Sequence, residues 1–149
     1  METKKPDPTE ELLCEIYRNV QMGTESVADV IPKIDDKRLL TDATSEIECY
    51  GRYTSEAAGM MNDRGIRPQQ LATHKKLGAK MGIAMNTLVD STSSHIAEML
   101  IQGNHLGADQ LEEQLIKCEK AGCDVDVCTF GRRVVAYERS EAERLQSYL

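Results

Sequence analysis

Apolar residues recur at alternating steps of three and four from the start of the chain, and this spacing predicts a long amphipathic helix. The run DPTE at residues 7–10 supplies an N-cap, a proline at the first helical position and a glutamate at the third, so the helix should begin there. Pro32 should end or kink it near its last turn. Gly23 is the one gap in the apolar face, which comprises Leu13, Ile16, Val20, Val27, Val30 and Ile34.

A second helix is predicted from a cap at Asp35-Asp36 to Arg64-Gly65, where glycine is a typical C-terminal signal. Only residues 65–68 separate it from the next helical pattern, and so short a connection predicts antiparallel neighbours. The face that this second helix should bury comprises Leu40, Ala43, Ile47, Tyr50, Thr54, Ala57 and Met61.

A third helix should begin between Pro68 and His74, and its buried face changes from apolar to polar along the chain. The apolar part is Leu77, Met81, Ala84 and Leu88, and the polar part is Ser91, His95, Glu98 and Gln102. The run GNHLG at residues 103–107 should kink or break this helix, because glycine disfavours a helix interior. A shorter helical segment is then expected over residues 108–121.

The last helix should run from about Asp124 to the C-terminus, with Glu138 and Glu141 at positions where apolar residues would be expected. Together these patterns predict an all-α fold. Its form should be an up-down four-helix bundle, with an extra short helical segment between the third and last long helices. We expect one domain over residues 9–149, preceded by an N-terminal tail over residues 1–8.

Composition and charge remove several classes of function. The chain of 149 residues carries a net charge of −7 and has no Lys/Arg cluster, which argues against a nucleic-acid partner. No apolar run approaches the roughly 18 residues that span a membrane, and the N-terminus lacks the apolar region of a signal peptide. A cytoplasmic protein without membrane partners is therefore expected. Its five cysteines, at positions 14, 49, 118, 123 and 128, should be reduced thiols rather than zinc ligands.

Three stretches carry a resemblance to a known family: MNTLVDSTSSHIAEMLIQGNHLG, LLCEIYRNVQMG and AYERSEAERLQSYL. They resemble an uncharacterised family of small bacterial helical proteins, mostly from Bacillota, and the similarity spans nearly the whole chain. This resemblance implies a ferritin-like bundle and no established activity. The wider superfamily includes di-iron carboxylate proteins, so it also raises the question of a metal site.

The standard di-iron site needs a glutamate from each of two helices and a Glu-x-x-His pair from each of the other two. The chain has only three histidines, His74, His95 and His105, all in or beside the third predicted helix. A second pair is therefore impossible, and the one candidate is reversed because His95 precedes Glu98. A degenerate iron or manganese site stays open, with His95, Glu98, Glu138 and Glu48 as its candidate ligands.

Helix register argues against that set. Counting from the predicted connections places Glu138 level with about Val20, Glu48 and Leu88. His95 is then seven residues farther along its helix, or roughly 10 Å at 1.5 Å per residue, while metal–ligand bonds are about 2 Å long. We therefore favour a buried polar core in which His95 and Glu98 form hydrogen bonds.

The function predicted from the sequence is non-enzymatic, that of a structural or interaction bundle without a cofactor. A homo-oligomer is expected, with spare apolar residues at Ile83, Val89 and Leu100 as its interface. The alternative is a carboxylate-bridged iron or manganese protein.

Overall fold

The computed structural model describes residues 7–68 and 92–149, and all regular structure in these two ranges is helical. The four α-helices are α1 (Pro8–Val30), α2 (Lys37–Asp63), α3 (Ser93–Lys120) and α4 (Val125–Leu145). Short 3-10 turns follow α1 at Ile31–Lys33 and α4 at Gln146–Tyr148. The all-α prediction is confirmed, while the predicted helical pattern over residues 74–88 lies outside the described residues.

Helix ends set by local chemistry were predicted well. The Asp7 side chain caps α1 by accepting a hydrogen bond from the Thr9 amide at 3.0 Å, and Asp36 caps α2 through the Leu39 amide at the same distance. At the end of α2, Gly65 adopts a φ of 72°, which only glycine takes without strain. Such side-chain and glycine signals act over a few residues and are therefore readable without the tertiary structure.

The predicted break at residues 103–107 is wrong, because α3 runs unbroken through it. A helix instead begins at Ser93, where the Thr92 hydroxyl accepts a hydrogen bond from the His95 amide at 3.3 Å. The predicted short segment over residues 108–121 is the second half of this helix. Gly107 is inside α3 because a neighbouring helix packs too close for a Cβ. Tertiary packing outweighs the helix-propensity cost of about 1 kcal/mol for glycine.

The four described helices do not simply alternate in direction. The start of α1 meets the start of α4, where the Thr9 hydroxyl accepts a hydrogen bond from the Asp124 amide at 3.1 Å. These two helices are therefore parallel. Short turns make α2 antiparallel to α1 and α3 antiparallel to α4, so α2 and α3 are parallel to each other. The order of the described helices is up, down, down, up, while the antiparallel neighbour predicted after residues 65–68 lies outside the described residues.

The core lies along the shared axis of the four helices, where α1 packs against each of the other three. Leu100 is part of this core, with 3% of its surface exposed, so its predicted place in an intermolecular interface is wrong. Ile83 and Val89, the other two residues of that interface, lie outside the described residues. Within residues 7–68 and 92–149, no helix has the length and apolar character needed to cross a membrane.

A disulfide joins Cys118 to Cys123 across the turn between α3 and α4, so the expectation of five reduced thiols is wrong for these two. The Cys123 amide donates to the Cys118 carbonyl at 3.0 Å, and the Gly122 amide donates to Glu119 at 3.2 Å. These two hydrogen bonds form a Schellman motif. Such motifs usually include an apolar contact between the same two positions that the disulfide joins here. The free cysteines of the described residues are Cys14, Cys49 and Cys128.

Reduction of this disulfide should lower the free energy of unfolding by about 2 kcal/mol, the chain-entropy value for so short a loop. Urea unfolding with and without a phosphine reductant measures the change. A Cys118→Ala, Cys123→Ala variant is the control, since the reductant should leave its transition unchanged. An unchanged wild-type transition in the reductant would contradict the prediction.

Candidate polar cavity between the helices

Five buried polar side chains meet in the middle of the bundle, and we call this set the polar layer. They are Asn19 from α1, Glu46 and Tyr50 from α2, Asn104 from α3 and Glu138 from α4. Each is less than 9% exposed, and the two glutamates are only 1% and 2% exposed. Burial of this much polar surface is costly unless it is hydrogen-bonded, so the partners of these groups determine the properties of the site.

Tyr50 connects three of the helices. Its hydroxyl lies 3.0 Å from Glu138 Oε2 and 3.2 Å from Asn104 Oδ1, within donating distance of both acceptors. An edge-on contact with Tyr137, 5.7 Å between ring centroids, fixes the plane of its ring. On the other side of the layer, Asn19 Nδ2 donates to the carbonyl of Gly107 at 2.9 Å.

Two glycines make room for these contacts. A Cβ at Gly23 would lie 2.5 Å from Cζ of Tyr50, and a Cβ at Gly107 would lie 2.6 Å from Oε2 of Glu138. Both distances are far below van der Waals contact. Gly23, the gap in the predicted apolar face of α1, is therefore where the Tyr50 ring packs.

The polar layer is only partly satisfied within the described residues. Both carboxyl oxygens of Glu46 lack a hydrogen-bond partner, as does Oε1 of Glu138. The Oδ1 atom of Asn19 and the Nδ2 atom of Asn104 are also without partners. Unpartnered buried polar atoms are rare in folded proteins and call for a specific explanation.

These residues line a cavity of about 50 Å³. A single water needs roughly 10–15 Å³, so the space is large enough for several waters or for a small group of a ligand. The base of the cavity is the polar layer. Its outer part is mostly apolar and lies between α1 and α3, lined by Met22, Val27, Leu100 and the 38% exposed Leu106.

Burial keeps the two carboxyl groups neutral at pH 7. The pKa of Glu46 is raised to about 8, chiefly by loss of hydration and then by the nearby charge of Glu141, while the Asn104 amide lowers it. Loss of hydration likewise raises the pKa of Glu138, to about 8, and outweighs the lowering by the Tyr50 hydroxyl and the Asn19 amide. Neither glutamate forms an ion pair with any described residue, whereas Glu141 is paired with Arg144 at 2.6 Å.

The structure places His95 and Glu98 away from this layer. Their side chains are 39% and 58% exposed, and His95 Nδ1 lies 4.0 Å from Glu98 Oε2. The prediction that they form a buried polar core is therefore wrong. Because α3 starts at Ser93, its inward face begins at Ile96 and Leu100, and the two polar residues face outward.

The four candidate metal ligands lie in different surroundings. Glu138 is buried in the polar layer, while Glu48 is exposed on α2 and its neighbour Glu46 is the residue that enters the core. Asn104 is level with Glu138, and His95 is nine residues before it, roughly 14 Å along the helix. Within residues 7–68 and 92–149, no three His, Cys, Asp or Glu side chains form a group that could hold a metal ion. The side chains present at this layer do not fit the di-iron centre that the family resemblance raised.

Three residues of the layer, Asn19, Glu46 and Asn104, were not among the predicted site residues, although Glu46 had a visible signal. Glu46 is three residues after Ala43 and four before Tyr50, so it shares the predicted buried face of α2. Asn104 and Gly107 were interpreted as helix breakers, and Asn19 gave no signal.

Replacing Tyr50 by phenylalanine should lower the free energy of unfolding by about 1–2 kcal/mol, because acceptors on Asn104 and Glu138 lose a buried donor. Chemical unfolding measures the change. Tyr17→Phe is the control: the Tyr17 hydroxyl accepts from Gln21 at 3.0 Å in a partly exposed position, where water can replace it. Equal losses in the two variants would contradict the prediction.

Neither a protein-family model, nor a curated protein, nor a solved structure matches this chain.

Proposed function

We propose that this chain is a ferritin-like helical bundle that acts by binding, without catalysing a reaction. The helix directions support the fold assignment, since ferritin-like bundles contain one long crossover between two parallel helices. Here α2 ends at one end of the bundle and α3 begins at the other, with residues 64–92 between them. The binding role is a separate proposal and depends on the cavity.

The observation behind the binding role is the set of unpartnered polar atoms at the base of that cavity. Side chains in the polar layer are held by packing from all four described helices, so they are positioned for hydrogen bonding before a ligand binds. Preorganised polar groups in a mainly apolar cavity are typical of small-molecule sites. A ligand that satisfies these atoms recovers the free energy that their burial costs.

The dimensions favour binding over catalysis. A cavity of about 50 Å³ holds a group of a few non-hydrogen atoms and leaves no space beside it for a second reactant. Among the described residues that line it, there is no cysteine or lysine to act as a nucleophile and no histidine to activate the Ser26 hydroxyl. Neutral carboxyl groups and amides are suited to hydrogen bonding.

Amide NMR spectra of the full chain test the proposal. Three glycines line the cavity, namely Gly23, Gly103 and Gly107, while Gly51 and Gly59 face open space. We expect at least one of n-propylammonium, n-propanol and propionate, added to about 20 mM, to shift the first three signals and leave the other two in place. The added compound should be recovered unchanged. Unmoved cavity glycines with all three compounds, or chemical conversion of any of them, would sink the proposal.

A further inference from the structure

Most of the unpartnered polar atoms in the cavity are oxygens. Four are oxygens: Asn19 Oδ1, both carboxyl oxygens of Glu46, and Glu138 Oε1. One is a nitrogen, Asn104 Nδ2. Asn19 Oδ1 can only accept, and a carboxyl group that has released its proton accepts at both oxygens, so the complementary ligand donates several hydrogen bonds from one end. Such a set favours a ligand end rich in donors over a carboxylate or a phosphate.

The charges around the cavity also favour a ligand that donates hydrogen bonds. Two carboxyl groups line it, and a third, on Glu141, lies close enough to Glu46 to act on its charge. Arg144, the cation near Glu46, is already paired with Glu141 at 2.6 Å, and Arg139, the cation near Glu138, pairs with Asp109 at 3.2 Å. No cationic side chain of the described residues lines the cavity itself. A bound cation would instead stabilise the ionised form of one of these carboxyl groups.

An ammonium group meets both requirements. It carries one positive charge on three N–H donors, the same inventory as the lysine head group. A compact cation of this kind can lie between Glu46 and Glu138 and donate to Asn19. A metal ion fits less well, because no three His, Cys, Asp or Glu side chains of the described chain converge on one point.

The lining of the outer part of the cavity indicates the chemistry of the rest of the ligand. Beyond the polar layer the lining is mainly apolar, from Met22, Val27 and Leu100 to the partly exposed Leu106, with Ser26 as a polar residue among them. A charged or polar chain would lose hydration against these side chains, whereas an alkyl chain would bury its surface there. The opening between α1 and α3 lets such a chain extend toward the surface.

We propose that the cavity binds an aliphatic primary amine in its protonated form, with the ammonium group between Glu46 and Glu138 and the alkyl chain against Met22 and Leu106. This inference rests on the proposed binding function and gives it a ligand class. Occupation by water alone is the competing outcome.

Binding of the amine should be coupled to proton release. The groups that face Glu46 are Tyr50 on its own helix, Asn104 of α3, and Glu138, Glu141 and Arg144 of α4. Those that face Glu138 are Glu46, Tyr50, Asn19 and Arg139. With both carboxyl groups protonated at pH 7, the arriving cation displaces about one proton. Affinity should therefore increase from pH 6 to pH 8, and proton release should fall away by pH 9.

Calorimetric titration of the full-length protein with n-propylammonium chloride tests this proposal, at pH 7 and in two buffers that differ in ionisation enthalpy. The buffers give the number of protons released. n-Propanol and propionate serve as neutral and anionic probes of the same length. We expect n-propylammonium to bind at least tenfold more tightly than either, with release of about one proton and with shifts confined to the cavity glycines.

Variants identify the site. Glu46→Gln replaces an ionisable carboxyl group by an amide of the same shape, and it should weaken n-propylammonium binding at least tenfold. Glu138→Gln provides an independent variant with the same expectation. Glu48→Gln is the matched control, two residues along the same helix and exposed. It should bind as the wild type does.

The results separate the two proposals. If n-propanol binds at the cavity glycines as tightly as the amine, the cavity binds ligands and the amine assignment is wrong. If Glu46→Gln and Glu138→Gln both bind the amine as the wild type does, the assignment is also wrong. If none of the three probes moves the cavity glycines, the space holds only water, and the binding function fails with it.

Discussion

The protein should be more stable at pH 5 than at pH 8, by about 3 kcal/mol for each of the two buried carboxyl groups. Glu46 and Glu138 have a pKa of about 8 in the folded chain, against the ordinary value of 4.5 for an exposed glutamate. Between these values the unfolded chain has released a proton that the folded chain keeps. Each pH unit in this window therefore lowers the free energy of unfolding by about 1.4 kcal/mol per carboxyl group.

The sign is opposite to that of a protein stabilised by salt-bridged carboxylates. Stability from the two neutral glutamic acids is fully present below about pH 4.5 and is lost as the pH rises through about 8. Urea unfolding at one-unit steps from pH 5 to pH 8 measures the slope. Glu46→Gln should remove about half of it, because glutamine does not ionise and keeps the shape of the acid.

Glu48→Gln provides the control, since an exposed carboxyl group should leave the slope unchanged. Stability that is flat or rises between pH 5 and pH 8 would contradict the neutral state of the polar layer. A slope that persists in a Glu46→Gln, Glu138→Gln double variant would assign the effect to other groups.

Replacing Gly23 by alanine should lower the free energy of unfolding by about 3 kcal/mol, near the upper end of the range for overpacking. The added methyl group would lie 2.5–2.8 Å from three atoms of the Tyr50 ring. That ring is held by Tyr137 at its edge and by the hydrogen bonds of its hydroxyl, so it cannot turn away cheaply. The gain in helix propensity, about 1 kcal/mol, offsets only part of the loss.

Gly59→Ala supplies a matched comparison, because Gly59 is also inside a helix but has no atom within 4 Å of an added Cβ. This substitution should raise the free energy of unfolding by about 0.5–1 kcal/mol. The two variants make the same chemical change with opposite expected signs. Stabilisation by both would show that the Tyr50 ring does not pack against Gly23.

How far the sequence predicted the fold depends on how local each signal is. The caps at Asp7 and Asp36 and the glycine after α2 were predicted because their effects act within one turn. Gly107 was misjudged because its role depends on Glu138, 31 positions away in the chain. A sequence pattern shows that a glycine is unfavourable for a helix but not which neighbour requires it.

The candidate site shows the same limit on a smaller scale. Glu138 was placed on the buried face of the last helix, and the register argument put it near the middle of α1 and α2, where the polar layer lies. His95 and Glu98 were misplaced because the buried face was continued through residues 91–102 as one helix. Because α3 starts at Ser93, a different set of its residues faces the core.

The position of the polar layer also restricts how α4 can align with its neighbours. A slip of α4 by seven residues would keep its apolar face inward and would bring Glu138 to the place that Gly131 now occupies. Gly131 packs against Leu115 and Ile16, where an added Cβ would already lie 2.8 Å from the nearest carbon. A carboxyl group in that place would have no room and no hydrogen-bond partner, at a cost of several kcal/mol. Helices with a repeating apolar face can otherwise pair in several alignments, and in this bundle one layer of polar side chains selects among them.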